Sequence, residues 1–207
     1  MQTFGAVRVS GLNMHRLLSN GEAVLLFPGG VREAYRRKGE NYKLFWPDQS
    51  EFVRMAARFG ATIVPFAAIG VDDGLEILLD SDEMKNSPFF GDRLRKQEAN
   101  MPQARRGLAA DKFGEEESFI SPFVAPKVPP NRLYFVFQRP ITTSPEDAND
   151  RKKCDAVYKE VKTSVEDGLA YLLKKREADP FKDFPGRFAY ESLFRGRQAP
   201  TFPLNDE

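Results

Sequence analysis

The chain has 207 residues, with 31 Lys plus Arg against 30 Asp plus Glu, 41% hydrophobic residues and 18 phenylalanines. That is enough for one domain with a buried core, and a net charge of +1 excludes the large basic excess of a dedicated nucleic-acid binder. The single cysteine, Cys154, excludes an intrachain disulfide and a multi-cysteine metal site, and the single histidine, His15, is the one residue any imidazole chemistry would have to use.

In chain order, Ser10 to Asn20 reads as a short helix, with Ser10 as N-cap, Met14, Leu17 and Leu18 on one face, and Gly21 able to take a left-handed C-terminal conformation. Ala23 to Phe27 is a continuous apolar run, the pattern of a strand buried on both faces, and Pro28-Gly29-Gly30 ends it. Ser50 caps a second helix, Glu51 to Phe59, closed by Gly60. Ala61 to Val64 reads as a second buried strand, stopped or bent by Pro65. Strand, turn, helix and strand in that order predict a βαβ-like unit. The expected fold class is therefore α/β, a mostly parallel or mixed sheet flanked by helices.

Further along, Leu75 to Leu79 fits one helical turn, and Lys85 to Gly114 is polar and mixed. Ser121 to Pro130 holds four prolines and reads as an extended loop, while Leu133 to Phe137 has high β-propensity. Pro140 and Pro145 bracket a turn. Cys154, Val157, Val161, Val165, Leu169 and Leu172 then step by three or four, predicting a long helix with one apolar face that Pro180 stops. Lys174, Lys175 and Arg176 in its last turn suit the helix dipole. Phe181 to Glu207 is aromatic and basic without periodicity.

The longest stretch without a charged residue, 59–71, is broken by Pro65 and falls short of the roughly 18 apolar residues of a membrane-spanning helix. Met1 to Gly5 lack the apolar core of a signal peptide and the character of a transit peptide, so the chain is expected either to be untargeted or to start inside a longer one.

One constellation carries chemistry: Phe27-Pro28-Gly29-Gly30-Val31-Arg32-Glu33-Ala34. It follows an apolar run, so it is expected at a strand's C-terminal end, where ligands bind in open α/β sheets. Adjacent glycines permit positive φ and a close approach of backbone N–H groups to an anion. Arg32 can grip a phosphate or carboxylate bidentately, and Glu33 can orient Arg32 or accept from a hydroxyl. The plain alternative is a tight turn with a surface ion pair. The basic residues Arg32, Arg36, Arg37, Lys38 and Lys43 cluster around this turn. His15 reads as a helix-surface residue and Cys154 as a buried inert thiol. Phe89-Phe90 and the stretch Phe119 to Phe123 suit either lipid contact or packing. The sequence has no Gly-x-Ser-x-Gly elbow and no phosphate loop, which argues against a hydrolase or a nucleotide-phosphate binder.

These residues resemble a known family. The block Phe27 to Ala34 is similar to the Pro-Gly-Gly block of the type 2 diacylglycerol acyltransferases, and in particular of their plant plastid branch, the phytyl ester synthase and diacylglycerol acyltransferase proteins. Lys43 to Pro47, Ser50 to Ala56 and Gly60 to Phe66 resemble further blocks of that branch. So do Pro126 to Pro129 with Arg132 to Phe135 and Arg139 to Ile141, and Tyr171 to Glu177 with Asp179-Pro180. The resemblance implies the later part of a glycerolipid-acyltransferase domain over 1–195, with 196–207 as a tail. It implies transfer of an acyl group from acyl-CoA or acyl-carrier protein to diacylglycerol or phytol, with no cofactor beyond the donor. Pro28, Gly29, Gly30, Arg32 and Glu33 would bind the acceptor. Gly29 stands where the wider glycerolipid acyltransferases have a glutamate, which suits a neutral alcohol. No catalytic residue is carried over, because the family's histidine block has no match here; a missing N-terminal half is expected upstream or in trans. The implied partners are a lipid substrate and a membrane or lipid-droplet surface, and not nucleic acid. The implied location is the chloroplast, including its plastoglobules, or otherwise the cytoplasm. The alternative is a catalytically inactive remnant acting as a peripheral lipid-binding or regulatory protein.

Overall fold

A computed structural model describes residues 5–7, 9–89, 91–98, 120–129 and 131–202. Lys85 to Gly114 lies only partly within this set. Of the aromatic pairs noted above, Phe90 and Phe119 lie outside it.

The two periodic helices form where expected. Helix α1 spans Gly11–Ser19, with the Ser10 hydroxyl accepting from Asn13 N at 3.1 Å and Gly21 at φ 73°. The last long helix, α6, runs Arg151–Glu177 and buries Cys154, Tyr158, Val161, Val165, Gly168, Leu169 and Leu172 along one face. Its N-cap Asp150 accepts from Lys153 N. Helix α3, Glu51–Arg58, buries Val53, Ala56 and Ala57. Ser50 precedes it but does not cap it with its side chain; its hydroxyl instead donates to Asp155 on α6 at 2.6 Å. Short helices α2 (Gly30–Ala34), α4 (Ser81–Lys85) and α5 (Gly91–Glu98), and a further helix α7 (Phe184–Leu193), are the other α-helices among the described residues.

The strands depart from the βαβ expectation. Each pairing among the described residues is antiparallel: β1 (Thr62–Ile63) with β6 (Ile141–Thr142), β2 (Phe66–Ile69) with β5 (Tyr134–Phe137), and β3 (Leu75–Leu79) with β4 (Phe123–Pro126). The partner of the residue 62–69 segment therefore comes from 134–142, beyond the expected unit and running the opposite way. Pro65 interrupts this ribbon without ending it, since Gln138 N donates to Pro65 O at 2.8 Å. Ala61 to Val64 supplies only a two-residue strand, and Val64 is exposed rather than buried. Leu75 to Leu79 is a strand and not a helical turn, and Ser121 to Pro130 contains a strand and is not wholly loop. The two find each other across 43 or more intervening positions, which local pattern does not encode. Ala23 to Phe27 is not a strand and is largely exposed: no described segment offers it a ladder, and an apolar run cannot choose a partner by itself.

The core lies between α6 and one face of the β2–β5 ladder. Ala67, Ile69, Tyr134, Val165, Leu169, Leu172 and Phe202 form it, with Tyr42, Leu44, Trp46, Val136 and Leu173 packed around. Trp46 also borders a second cluster of Val53, Cys154 and Tyr158. Gly168 lets α6 approach the sheet: a Cβ there would lie 2.3 Å from Gln138 Nε2 and 2.9 Å from the Ala67 methyl.

Up to residue 202, the segment after α7 packs against the core. Phe202 is buried and stacks on Tyr134 at 5.7 Å, and Ala199 is buried. Arg132 donates to Ala199 O at 2.6 Å and to Pro200 O at 2.8 Å. The fully buried Asp179 carboxylate accepts from Tyr134 OH and Phe181 N, each at 2.7 Å, and from Arg132 at 3.3 Å. Burial, and then the Asp179 hydrogen bond, pushes the Tyr134 hydroxyl well above its ordinary pKa.

Candidate functional site

The Pro-Gly-Gly turn closes with Gly30 N donating to Phe27 O at 3.1 Å. Gly30 takes φ 54°, so the glycine requirement read from the sequence is met at this residue, while Gly29 has φ −71°. Gly29 is needed for a different reason. The Glu33 side chain folds back over it, and a Cβ on residue 29 would lie 2.0 Å from Glu33 Cδ. Glu33 Oε1 in turn accepts from Phe45 N at 2.9 Å. Glu33 thus ties the turn to the 40s segment and does not orient Arg32.

Arg32 makes a bidentate contact of the kind its guanidinium suits, but the carboxylate is the chain's own Glu40. Nη1 donates to Oε2 at 2.8 Å and Nη2 to Oε1 at 2.5 Å, with both side chains mostly buried. The guanidinium also lies over the Phe45 ring, 3.8 Å from its centroid. Arg32 and the Arg37 backbone N–H together hold the Glu40 carboxyl down to a pKa of about 2.

The neighbouring cations are matched one by one. Arg36 pairs with Asp72 at 3.0 Å, Arg37 with Asp82 at 2.8 Å and Lys38 with Glu83 at 2.7 Å. Arg36 also donates to the backbone carbonyls of Glu33, Glu40 and Lys43. Arg36, Arg37 and Lys38 of the basic cluster therefore clasp the residue 72–83 segment, while Arg32 closes on Glu40. Tyr42 extends it inward. Its φ of 62° is rare for a bulky residue. It is held there because its N–H donates to Asp72 at 3.1 Å, its hydroxyl donates to Asp73, and that hydroxyl accepts from Gly70 N at 3.2 Å. Arg176 of α6 bonds both Asp73 and the Tyr42 hydroxyl. Burial first, and then the Asp73 bond, raises the Tyr42 pKa to about 12.

An apolar strip begins at the same turn. Phe27 meets Phe66 edge-on at 6.1 Å, and Phe66 meets Phe137 at 6.0 Å. Phe27 is 62% exposed and Phe137 74% exposed, and Phe135, also on the face away from α6, is exposed too. Phe27 and Phe137 thus leave aromatic surface open beside the Pro-Gly-Gly turn, joined through the half-buried Phe66.

The remaining candidates stay apart from this site. His15 lies on exposed α1 with its ring edge-on to Phe59 at 5.0 Å. Cys154 is buried, its thiol donating to Asp147 O at 3.3 Å, and burial pushes its pKa up. Among the described residues no cluster of His, Cys, Asp or Glu is arranged to hold a metal ion.

Sequence reasoning missed Glu40, Phe45, Tyr42 and Arg176. One signal was available: the acidic pair Asp72-Asp73 and the acidic stretch Asp80 to Glu83 follow a strongly basic segment, the complement that a clasp needs.

Residues 1–87 match the diacylglycerol acyltransferase family. Among curated relatives, it is 42% identical over 203 residues to phytyl ester synthase 2, chloroplastic, of Arabidopsis thaliana. It is 44% identical over 194 residues to phytyl ester synthase 1, chloroplastic, of the same plant. These alignments cover 97% and 92% of this chain, yet it spans only 28% and 27% of the two relatives' length. No solved structure matches.

Proposed function

We propose that this chain serves an O-acyltransferase reaction in the chloroplast, moving a fatty acyl group from acyl-CoA or acyl-carrier protein to the hydroxyl of phytol or diacylglycerol. The acceptor oxygen forms the new ester bond to the acyl carbon, the thioester C–S bond breaks, and the acceptor's proton leaves with the departing thiol. The observation that carries the reading is the open aromatic row Phe27–Phe66–Phe137 starting at the Pro28-Gly29-Gly30 turn, in a chain similar to phytyl ester synthases. A long hydrocarbon alcohol laid along that row brings its hydroxyl to the turn. Pro28, the Gly29 and Gly30 backbone and the second Glu33 oxygen would then receive the polar end. Arg32 would act on a developing negative charge only by exchanging Glu40 for it. The fold reading as part of a glycerolipid-acyltransferase-like α/β domain belongs to the same proposal.

The position of His15, on an exposed helix against Phe59, favours a second reading: the chain binds the lipid without itself removing the acceptor's proton. Transfer of a labelled acyl group to phytol or diacylglycerol separates the two. Labelled ester, reduced when Phe137→Glu breaks the aromatic row, supports catalysis. Phytol binding that Phe137→Glu abolishes, without ester, supports the second reading. Neither ester nor phytol binding refutes both.

A further inference from the structure

Helix α7 is built for something outside the core. It spans Phe184–Leu193, and not one of its residues is buried. Yet residues 181–194 hold five aromatic rings, namely Phe181, Phe184, Phe188, Tyr190 and Phe194, together with Leu193. Phe184 and Phe188, one turn apart, stack at 5.4 Å and 21°. Phe188 is 58% exposed and Leu193 77% exposed. Phe181, Tyr190 and Phe194 form a second row, at 4.8 and 4.4 Å. Phe181, Phe184 and Tyr190 are half-buried, whereas Phe188, Leu193 and Phe194 stay exposed and forfeit the burial energy that such side chains normally gain.

The charges point to the occupant. Arg187 lies 6.0 Å over the Phe184 ring. The helix ends in a left-handed turn at Arg195 and Gly196, with Gly196 N donating to Glu191 O, and this turn sets exposed Arg195 and Arg197 at the helix end beside Phe194. The acidic groups are mostly engaged elsewhere: Glu191 accepts from Ala199 N at 3.2 Å, and Glu177 pairs with Lys182 at 2.7 Å. Asp183 sits at the N-cap. Exposed rings flanked by arginines are the composition that lies in a lipid headgroup layer, with the rings at the acyl boundary and the guanidinium groups on phosphates.

We propose that α7 and the turn after it form a docking surface for an anionic lipid layer. This goes beyond the acyl-transfer reading and does not depend on it. The test is flotation of the full chain with vesicles of phosphatidylcholine alone and of phosphatidylcholine mixed with phosphatidylglycerol. The chain is expected to float with the anionic vesicles and less so with added salt. Phe188→Asp with Leu193→Asp is expected to lower binding by about tenfold or more. Arg195→Glu with Arg197→Glu is expected to lower it on anionic vesicles selectively, and Phe137→Asp to leave it in place. None of Phe188, Leu193, Arg195 and Arg197 is buried, and far-UV circular dichroism confirms each fold. No flotation, or flotation untouched by both α7 variants, overturns the proposal. So does self-association that Phe188→Asp abolishes without any lipid binding, since α7 would then be a protein contact.

Discussion

The Pro-Gly-Gly region and the α6 region are held together by different forces. Around α6, side chains such as Leu172 and Ile69 are almost wholly buried and stability comes from apolar area removed from water. From Glu22 to Lys43 nothing apolar is fully buried; the segment is fastened by charge-assisted bonds to Glu40, Asp72, Asp82 and Glu83. The first arrangement depends little on pH and salt, apart from the Arg132–Asp179–Tyr134 contacts at its edge. The second is directional, responds to both, and can open locally without melting the domain. A region that must admit a ligand gains from being the second kind.

The largest expected effect lies in the core. Leu172→Ala should cost about 2–5 kcal/mol, seen as a lower denaturant midpoint with an unchanged slope. A smaller loss than any clasp variant shows would reverse the contrast. Glu40→Gln comes next. It leaves Arg32 against Phe45 without its carboxylate and should cost about 1.5–3 kcal/mol. Hydrogen exchange should quicken over residues 30–43 but not over α6; exchange that quickens equally in both would show one cooperative unit.

The same pair sharpens the contrast through pH. The Glu40 carboxyl has its pKa lowered from 4.5 to about 2 on folding. The folded state therefore binds fewer protons than the unfolded one in that interval. The stabilisation is complete above pH 4.5 and is lost as pH falls toward 2. An acid titration should show Glu40→Gln losing less stability than the parent across this window, and parallel curves would remove Glu40 from the clasp. The smallest effect belongs to Gly29→Ala. The methyl displaces the flexible Glu33 side chain and breaks its bond to Phe45 N, at a cost of about 1 kcal/mol. An unchanged midpoint, with the Phe45 amide resonance unmoved, would contradict that.

What the sequence disclosed follows the same division. Helix α6 and strand β5 were legible because each carries a regular apolar pattern that its own packing uses. The Ala23–Phe27 run carried an equally strong pattern and misled, because a strand also needs a partner and none of the described residues supplies one. Strand β2 was hidden behind Pro65, and β4 between prolines, where turn signals outweighed a pairing decided far along the chain. Helix α7 showed no single apolar stripe because its rings fall in two rows and fill no core. In the site, the need for Gly30 was readable from local backbone geometry. The partner of Arg32 was not, since Glu40 is eight residues away around a loop with no period to count.

The Arg132 and Phe202 contacts also bear on how the protein is made. A nascent chain leaves the ribosome N-terminus first, so β2 emerges more than a hundred residues before the ring that closes over Tyr134. Until Phe202 is out and Arg132 can reach Ala199 and Pro200, α6 covers that face of the central ribbon but Tyr134 lacks the ring that stacks on it. Folding is therefore committed late, with many long-range closures completed together. Premature termination before residue 199 leaves a product that cannot finish its own interior.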